Sequence, residues 1–440
     1  MSMPAADSTS PGTAGPGTAG PDSAGSGFAL PAGLTWVRLT FVDVFGTGHS
    51  LQIPARLFGD AITKGFPFDG SALEGRARLA EKDMRLRPDP ATLHRVDALV
   101  ARAVCNVTTS DGLPWLGDPR TALQRVVEDL GELAEDYTAG AEIEFYVLDG
   151  TKPVDQAGYF NDADSVGIGL LREAADRLED FGVVVDGCHL EAGPGQYELD
   201  LAPHSPVALA DALVLARRII RSVAAAAGLR ATFMPRPIAG EAGSGMHLQQ
   251  RVTGRLFNPD GTLDEDGQAF VAGQLYHARG LAALAAPTVN SYKRLASGPE
   301  APSAAVWAHI NRGALIRLST YRGDEASIEF RASDPLANPY LLLAGLLASG
   351  AHGLDKQLEL PPPMEEDLEG FDPAGTDSVR IEMLPRTLDE ALDALLADDV
   401  LVDTFQDQLL SLLVDGRRAE VVAYETQITS WELDRYLDEA

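Results

Sequence analysis

The chain has 440 residues, of which 45% are hydrophobic, and this is enough to build two or three domains around a large core. Its formal net charge of −30 argues against nucleic acid or an anionic membrane surface as the main partner. Anionic substrates are not excluded, because a local group of arginines or bound cations can outweigh the overall field.

The N-terminal segment differs in composition from the rest of the chain. Residues 1–27 consist mostly of Ser, Pro, Gly, Ala and Thr, so we predict a disordered tail over 1–33. No basic stretch followed by an apolar one is found there, and we predict no signal peptide. The apolar run at 340–347 is too short to span a bilayer. With only Cys105 and Cys188 present, a disulfide framework is not expected and a cytoplasmic location is predicted.

The remaining chain divides into two predicted domains. Alternating residues over 36–46 predict a half-buried strand, with 51–54 as its hairpin partner, inside a small mixed domain spanning 34–115. A helical pattern over 118–136 opens a second domain, predicted over 116–440. Further helices are predicted over 167–181, 206–227, 265–285, 337–354, 387–398 and 400–414, and strands over 141–149, 197–203 and 326–334. Helices interleaved with strands indicate an α/β or α+β fold.

Two motifs place pairs of glutamates close together. The strand predicted over 141–149 carries Glu142 and Glu144 two residues apart, so they share one face. This pair fits either a solvent-facing edge or a cation site, because neighbouring carboxylates repel and are costly to bury unpaired. The stretch HLEAGPGQYE then puts Glu191 and Glu198 on either side of a Gly-Pro-Gly bend. Such a bend is typical of a hairpin turn, and it also brings two carboxylates together.

Two later motifs add a histidine and a fifth glutamate. GEAGSGMHLQQ places flexible glycines before His247, although a lone histidine is more often structural than a ligand. SIEFRASDP puts Glu329 and Arg331 on one face of a strand. The alternative to a functional role for this pair is an exposed ion pair, which is worth at most about 1 kcal/mol.

Taken together, these motifs offer five glutamates and one histidine on strands and bends. Hard cations such as Mg²⁺ and Mn²⁺ prefer oxygen ligands with an occasional imidazole, and paired metals commonly bind phosphoryl groups in transfer. Arginines that could bind phosphates or a carboxylate through forked hydrogen bonds follow later in the chain: Arg294, Arg312, Arg317 and Arg331. The residues therefore predict a metal-dependent phosphoryl-transfer enzyme that acts on a carboxylate.

The order of the motifs resembles the glutamine synthetase family, type I. The matching segments over about 34–440 are FDGSALEG, DMRLRPDPAT, EIEF, HLEAGPGQYELDL, ATFMPRPIAGEAGSGMH, NSYKRLASGPEAP, NRGALIR and IEFRASDPLANPYLLLAGLLASG. The resemblance implies an α+β fold with an N-terminal β-grasp domain and a catalytic domain whose antiparallel sheet is flanked by helices. It also implies a homo-dodecamer of two rings with active sites between subunits, and small-molecule substrates rather than nucleic acid or membrane.

The resemblance implies two sets of ligands for Mg²⁺ or Mn²⁺, with two or three ions per site. One set is Glu144, Glu191 and Glu198, and the other is Glu142, His247 and Glu329. It assigns substrate binding to Tyr159, Gly243, His247, Arg294 and Arg331, and ATP binding to His189, Arg312 and Arg317. It assigns catalysis to Asp69, Glu300, Arg312 and Arg331, where Asp69 comes from the neighbouring subunit and Glu300 closes over the intermediate. The implied reaction phosphorylates the γ-carboxylate of glutamate with ATP, after which an amine displaces phosphate.

The sequence also departs from the family pattern near the substrates. Ala72 replaces a serine beside the ammonium pocket, and Ala242 replaces an asparagine that helps to hold glutamate. Leu190 and Gln249 replace histidines, and the stretch 361–385 lacks the tyrosine used for adenylylation control. The segment YRGDEAS before IEFR has only Arg322 where the family has several basic residues.

Three hypotheses follow from this pattern. The first is an ATP-dependent ligase that joins glutamate to ammonia or to a larger organic amine such as a polyamine, ethanolamine or an amino acid. The second is a non-catalytic assembly or regulatory relative, motivated by Ala242 and the acidic segment before IEFR. The third is a ligase for an acid other than glutamate, also motivated by Ala242.

Overall fold

The fold is taken from a computed structural model. It describes residues 30–74, 83–156, 158–161, 165–296, 298, 300–318, 325–366 and 381–438. Of the tail predicted over 1–33, residues 1–29 lie outside the described residues. Arg322, the side chain of Ala72 and most of 361–385 also lie outside them.

The N-terminal sheet explains the alternating pattern near the start of the described chain. Its elements are β1 (Trp36–Val42), β2 (Gly48–Pro54), α1 (Phe58–Lys64), β3 (Phe66–Asp69), β4 (Asp83–Pro88), β5 (His94–Arg95) and β6 (Val100–Thr109). The strand order is β2-β1-β6-β4-β3, with β5 on β6, and β1 runs parallel to β6. Alternate residues of β1, such as Val37 and Leu39, are buried under α1, which contributes Phe58 to the same core. The predicted strand over 36–46 ends at Val42, where a turn leads back into β2.

A larger sheet with its covering helices forms the rest of the molecule. The elements are α2 (Pro119–Leu130), α3 (Glu132–Asp136), β7 (Tyr137–Asp149), β8 (Lys152–Pro153), α4 (Val166–Glu179), β9 (Val185–Leu190), β10 (Gln196–His204), α5 (Pro206–Ala226), β11 (Arg230–Thr232), β12 (Met246–Val252), α6 (Glu265–Tyr276), α7 (Ala278–Ala285), α8 (Ser291–Leu295), β13 (Trp307–Ala308), β14 (Ile316–Leu318), β15 (Ile328–Phe330), α9 (Pro339–Lys356), α10 (Leu388–Leu396), α11 (Asp399–Glu425) and α12 (Ser430–Tyr436). The strand order β13-β14-β15-β12-β7-β10-β9 is antiparallel except for the β13–β14 pair. The α+β class is therefore confirmed, with one parallel pair added to the expected sheet.

Three predicted helices differ from the observed ones. The helix predicted over 118–136 breaks at Gly131, whose φ of 51° and ψ of −123° cannot continue a helix. The helix predicted over 265–285 breaks at His277, where the backbone turns between α6 and α7. The helix predicted over 400–414 is kinked at Gln406, where φ is 62° and ψ is 158°, and its second part continues to Glu425.

The two sheets are joined by buried polar contacts. Asn338 at the start of α9 donates from Nδ2 to the carbonyl oxygens of Asp43 and Val44, each at 3.1 Å. Arg120 of α2 pairs with Asp89 at 2.8 Å and with Asp211 of α5 at 3.0 Å. These contacts hold the turn after β1 against the helices that cover one face of the large sheet.

Candidate active site

The central strand of the large sheet has one apolar face and one charged face. Ile143 and Phe145 of β7 point into the core, so Glu142 and Glu144 lie on the opposite face. Because β7 lies between β12 and β10, the alternative of a solvent-facing edge is wrong for this pair. Glu144 is only 9% exposed.

Strand pairing brings the other predicted residues onto the same face. His247 of β12 is paired with Glu142, and Glu198 of β10 is paired with Glu144. His189 of β9 is in turn paired with Glu198. Directly paired residues of neighbouring strands share one face, so positions far apart in the sequence become neighbours.

Glu142, His247 and Glu329 form a compact group of possible metal ligands. His247 Nδ1 lies 3.1 Å from Glu142 Oε2 and 3.5 Å from Glu329 Oε1. One donor atom from each of the three residues lies within 4.8 Å of the other two. Two carboxylates and an imidazole fit a hard divalent cation. The structure therefore brings together one complete set of the predicted ligands.

The second predicted set is arranged differently. His189, Glu198 and Asp200 have donor atoms within 4.8 Å of one another, and His189 Nε2 lies 3.3 Å from Glu198 Oε1. Glu144 instead accepts hydrogen bonds from the Gly245 amide at 2.8 Å and from Gln196 Nε2 at 3.1 Å. The assignment of Glu144 and Glu198 with Glu191 to one ion stays a prediction. Sequence analysis missed Asp200, although it lies two residues from Glu198 and on the same face of β10.

Burial and mutual repulsion shift the protonation of these carboxyls. Burial, with the charges of Glu144 and Glu142, outweighs the hydrogen bond to His189 and raises the pKa of Glu198 to about 9. Burial and the charge of Glu144 likewise raise the pKa of Glu191. Burial would raise the pKa of Glu142 as well, but hydrogen bonds from His247 and Gln249 prevail and hold it at about 2. The site therefore contains more acidic groups than it can keep charged without a cation.

Arginines border the carboxylates on the side of β14 and β15. Arg331 Nη1 donates to Glu329 Oε1 at 2.5 Å, and Arg317 Nε donates to Glu329 Oε2 at 2.6 Å. Arg294 is held by the carbonyl oxygens of Ala332 at 3.0 Å and Arg331 at 3.1 Å. These contacts orient the guanidinium groups towards a common space.

That space is a cavity of about 320 Å³. Its lining includes the predicted residues Glu142, Glu144, Tyr159, Glu191, Glu198, Gly243, His247, Arg294, Glu300, Arg312, Arg317 and Arg331. Glu329 lies beneath the lining and is 2% exposed, while His189 stands behind Glu198. Asp69 at the end of β3 does not line the cavity of its own chain, and its Oδ1 accepts a hydrogen bond from the Ser71 amide at 3.0 Å.

Comparisons with known proteins identify the family. Residues 116–436 match the profile "Glutamine synthetase, catalytic domain", and residues 33–110 match "Glutamine synthetase, beta-Grasp domain". The chain belongs to the glutamine synthetase family. Members of this family are ligases that use ATP and divalent metals, and the chain is accordingly an ATP-dependent carboxylate–amine ligase.

Three similar proteins show how much of the chain these relationships cover. Glutamine synthetase from Thermotoga maritima is 37% identical over 91% of this chain and 96% of its own length. Glutamine synthetase from Halobacterium salinarum is 36% identical over 92% of this chain and 94% of its own. The structure of a GmaS/ADP complex is 28% identical, with a TM-score of 0.80 over 92% of this chain and 97% of its own.

Within this glutamine synthetase fold, two departures from the family pattern have visible consequences. Gln249 donates from Nε2 to Glu142 Oε1 at 2.9 Å and accepts from Ser327 Oγ at 2.8 Å, so it positions the Glu142 carboxylate. Ala242 lines the cavity, and its carbonyl oxygen accepts the Tyr146 hydroxyl at 2.7 Å. The sequence alone indicated only that a histidine and an asparagine of the family pattern are missing, because the contacts of Gln249 and Ala242 depend on residues far away in the chain.

Three side chains of the candidate site lie close to Gly245, so we predict a large loss of activity for Gly245→Ala. An added Cβ would lie 2.6 Å from His247 Nε2, 2.8 Å from Arg294 Nη2 and 3.1 Å from Glu144 Oε1. We expect ligase activity to fall by about 10²-fold, since misplacing a positioned group by about 1 Å is that costly. Steady-state ADP release measures the effect.

Gly169→Ala in α4 is the matched control, because an added Cβ there meets nothing within 4 Å. Both variants should keep the circular dichroism spectrum of the parent. Equal activity of the two variants would contradict the proposed crowding at Gly245.

No helix in the described parts of the chain is both long enough and apolar enough to cross a membrane.

Proposed function

We propose that this family member joins the γ-carboxylate of L-glutamate to ammonia or a small amine through a γ-glutamyl phosphate formed with ATP. The observation that carries the proposal is the convergence of the Glu142–His247–Glu329 group with Arg294 and Arg331 around one cavity. A carboxylate is a poor electrophile, so an acyl phosphate is needed before an amine can attack. A site for that intermediate requires charge compensation on both of its anionic ends.

The metal-binding assignment rests on the donor set. Burial, together with the neighbouring charge of Glu144, raises the pKa values of the Glu198 and Glu191 carboxyls, and a divalent cation would favour their ionised forms. We assign one ion to Glu142, His247 and Glu329, and a second to Glu144, Glu191 and Glu198. When bound, Mg²⁺ or Mn²⁺ neutralises charge on the phosphoryl group.

The arginines prepare the site for the two anionic substrates. Arg294 is fixed by two backbone carbonyls, which supports a role in holding the glutamate carboxylate. Arg312 and Arg317 line the cavity, and we assign them with His189 to the ATP phosphates. The ADP held by GmaS, a structural relative, supports nucleotide binding here.

Exposed residues at the rim complete the proposed mechanism. Glu300 lies 3.5 Å from Arg312, and both side chains are more than half exposed, which suits a flap that closes over the acyl phosphate and excludes water. Asp69 lies outside its own chain's cavity, which supports its contribution to a neighbouring active site in a dodecameric ring. We propose Asp69 as the group that takes a proton from the incoming ammonium. We also propose that the two domains span 34–115 and 116–440 and that the protein is located in the cytoplasm.

The deciding experiment measures ADP release by the purified full chain with ATP, Mg²⁺ and L-glutamate. Ammonium, ethanolamine, putrescine, spermidine and single amino acids are supplied in turn, and each product is identified by mass. Turnover with ammonium supports a glutamine synthetase in the strict sense, and turnover with one larger amine supports a γ-glutamyl ligase for that amine. No ADP release with any acceptor would contradict the proposal and favour a non-catalytic relative.

Ala242 gives a separate prediction for the acid substrate. Ala242→Asn is expected to lower the KM for L-glutamate by about 3- to 10-fold with little change in kcat, because the amide adds one hydrogen bond to the bound amino acid. Ala242→Leu is the matched control, since leucine has a similar size but no polar group. If both variants change KM equally, the effect is steric and the loop does not read the glutamate amino group.

A further inference from the structure

A second cavity, of about 420 Å³, opens between the β1–β2 hairpin and helices α5 and α9. It shares no lining residue with the active-site cavity. Its basic lining residues are His49, Arg102, Arg217, Arg218 and Arg221. Such a concentration of positive charge is unexpected in a chain whose net charge is −30.

Two of these arginines are buried and incompletely hydrogen-bonded. Arg102 and Arg217 are each 6% exposed, and neither Arg102 Nε nor Arg217 Nη2 has a hydrogen-bond partner among the residues that the structure describes. The rest of the Arg217 head group is fixed, since Nη1 donates to the carbonyl oxygens of Pro335 at 2.9 Å and Ala337 at 3.2 Å. A buried donor without an acceptor is costly, and it is retained where another group supplies the acceptor.

Two acidic side chains near this cavity, Asp211 and Asp43, are already hydrogen-bonded to other groups. Asp211, which faces Arg102, accepts two hydrogen bonds from Arg120, at 3.0 and 3.1 Å, and one from the Tyr340 hydroxyl at 2.5 Å. Asp43 lies 2.9 Å from His49 Nε2, and its other oxygen accepts two backbone amides. Asp211 offsets part of the charge of Arg102, and Asp334 offsets part of the charge of Arg217. The described residues that line the cavity nevertheless include no carboxylate.

The arginines also oppose one another electrostatically. Burial, followed by the charge of Arg221, lowers the pKa of Arg217 to about 10. Burial, followed by the charges of Arg38 and Arg102, lowers the pKa of Arg218 to about 10. Guanidinium groups keep their charge in proteins, so the cavity lining holds positive charge that a bound anion would offset.

We propose that this cavity binds a small organic dianion, a dicarboxylate or a phosphate monoester. Guanidinium groups recognise both kinds of head group through paired hydrogen bonds. The remaining walls include Phe41, Val104 and Val214, which suit the carbon skeleton of such a molecule rather than a bare inorganic ion. The site is independent of the proposed ligase reaction.

Binding is tested by isothermal titration calorimetry and by thermal unfolding of the full chain. The probes are succinate, glycerol 3-phosphate and inorganic phosphate, each at constant ionic strength set with NaCl. ATP and glutamate are left out, because both are anions of the kind that the cavity is proposed to bind. We expect saturable binding of succinate or glycerol 3-phosphate at one site per chain, with a raised Tm. The comparison of these two probes distinguishes a dicarboxylate from a phosphate ester. Binding of inorganic phosphate as tightly as either would contradict the organic character of the ligand.

Variants locate the binding. Arg218 and Arg221 lie on the exposed side of α5, so Arg218→Gln with Arg221→Gln should leave the fold intact and weaken binding by at least tenfold. Arg177→Gln is the control, since Arg177 pairs with Glu173 on the surface of α4 away from the cavity. No saturable binding, or binding unchanged in the double variant, would overturn the proposal. If the parent binds no anion and the double variant elutes as a smaller assembly on size exclusion, the arginines would instead be identified as a contact between subunits.

Discussion

Glu329→Gln is expected to lower the rate of ADP release at saturating substrates by about 10³-fold, combining the loss of a proposed metal ligand with misplaced arginines. The Glu329 side chain is 2% exposed and accepts hydrogen bonds from Arg317 and Arg331, with His247 3.5 Å away. The amide has nearly the same shape but no charge, and its NH₂ group would face a guanidinium donor. One substitution therefore disturbs the cation group and the arginines that border it.

The measurement is steady-state ADP release with the acceptor that the parent protein uses. Glu325→Gln is the matched control, because Glu325 precedes the same strand and is exposed. Thermal unfolding separates a catalytic loss from a folding defect, and Mg²⁺ should stabilise Glu329→Gln less than the parent. A variant with more than a tenth of the parent activity would show that Glu329 does not have the central role assigned to it.

The apparent affinity for Mg²⁺ is expected to rise at least about tenfold between pH 6.5 and 8.5, since binding must displace protons. Burial and neighbouring charges raise the pKa of Glu198 to about 9, and they also raise the pKa values of Glu191 and Asp200. These carboxyls are protonated in the folded chain at pH values where they would be ionised in the unfolded chain. Metal binding requires the ionised form, so each proton released makes affinity increase with pH.

The same shifts determine how stability depends on pH without metal. A carboxyl whose pKa is raised on folding destabilises the protein as pH rises above its unfolded value, near 4.5, and the loss continues until pH passes its folded pKa. Glu142 acts in the opposite sense, because its pKa of about 2 contributes stability that is lost only as pH falls. The increase in Tm produced by Mg²⁺ should therefore be larger at pH 8.5 than at pH 6.5.

Calorimetric titration of Mg²⁺ in two buffers of different ionisation enthalpy counts the protons released. Glu198→Gln should reduce that number, because it removes the carboxyl with the most strongly raised pKa. Glu173→Gln on the surface of α4 is the control and should leave the proton count unchanged. Mg²⁺ affinity that does not vary between the two pH values would show that these carboxyls are already ionised in the folded protein.

Local patterns in the sequence predicted the strands that carry Glu142, Glu198 and Glu329 in the candidate site. The alternation around Glu142 and Glu144 predicted a strand, and β7 is that strand, extended to begin at Tyr137. The motif order indicated the family and therefore the fold, and it singled out His247 and Glu329 as candidate site residues. These inferences succeeded because side-chain periodicity and short motifs are properties of neighbouring residues.

Only the tertiary structure decided which of these residues meet. Whether the glutamates of β7 faced solvent or a site depended on β12 and β10 lying on either side, and that pairing joins segments dozens of residues apart. The same is true of Asp200, which becomes a neighbour of His189 through the pairing of β9 with β10, and of Gln249, which reaches Glu142 across β12 and β7.

The arginine-lined cavity is the clearest example of a feature that local sequence patterns did not predict. Arg102 comes from β6 and Arg217 from α5, and neither belongs to a recognisable motif. The sequence by itself determined the family, several strands and helices, and the residue types that gather at the candidate site. The tertiary structure determined which charges are buried together and which remain uncompensated, because those depend on long-range packing that local residue patterns do not encode.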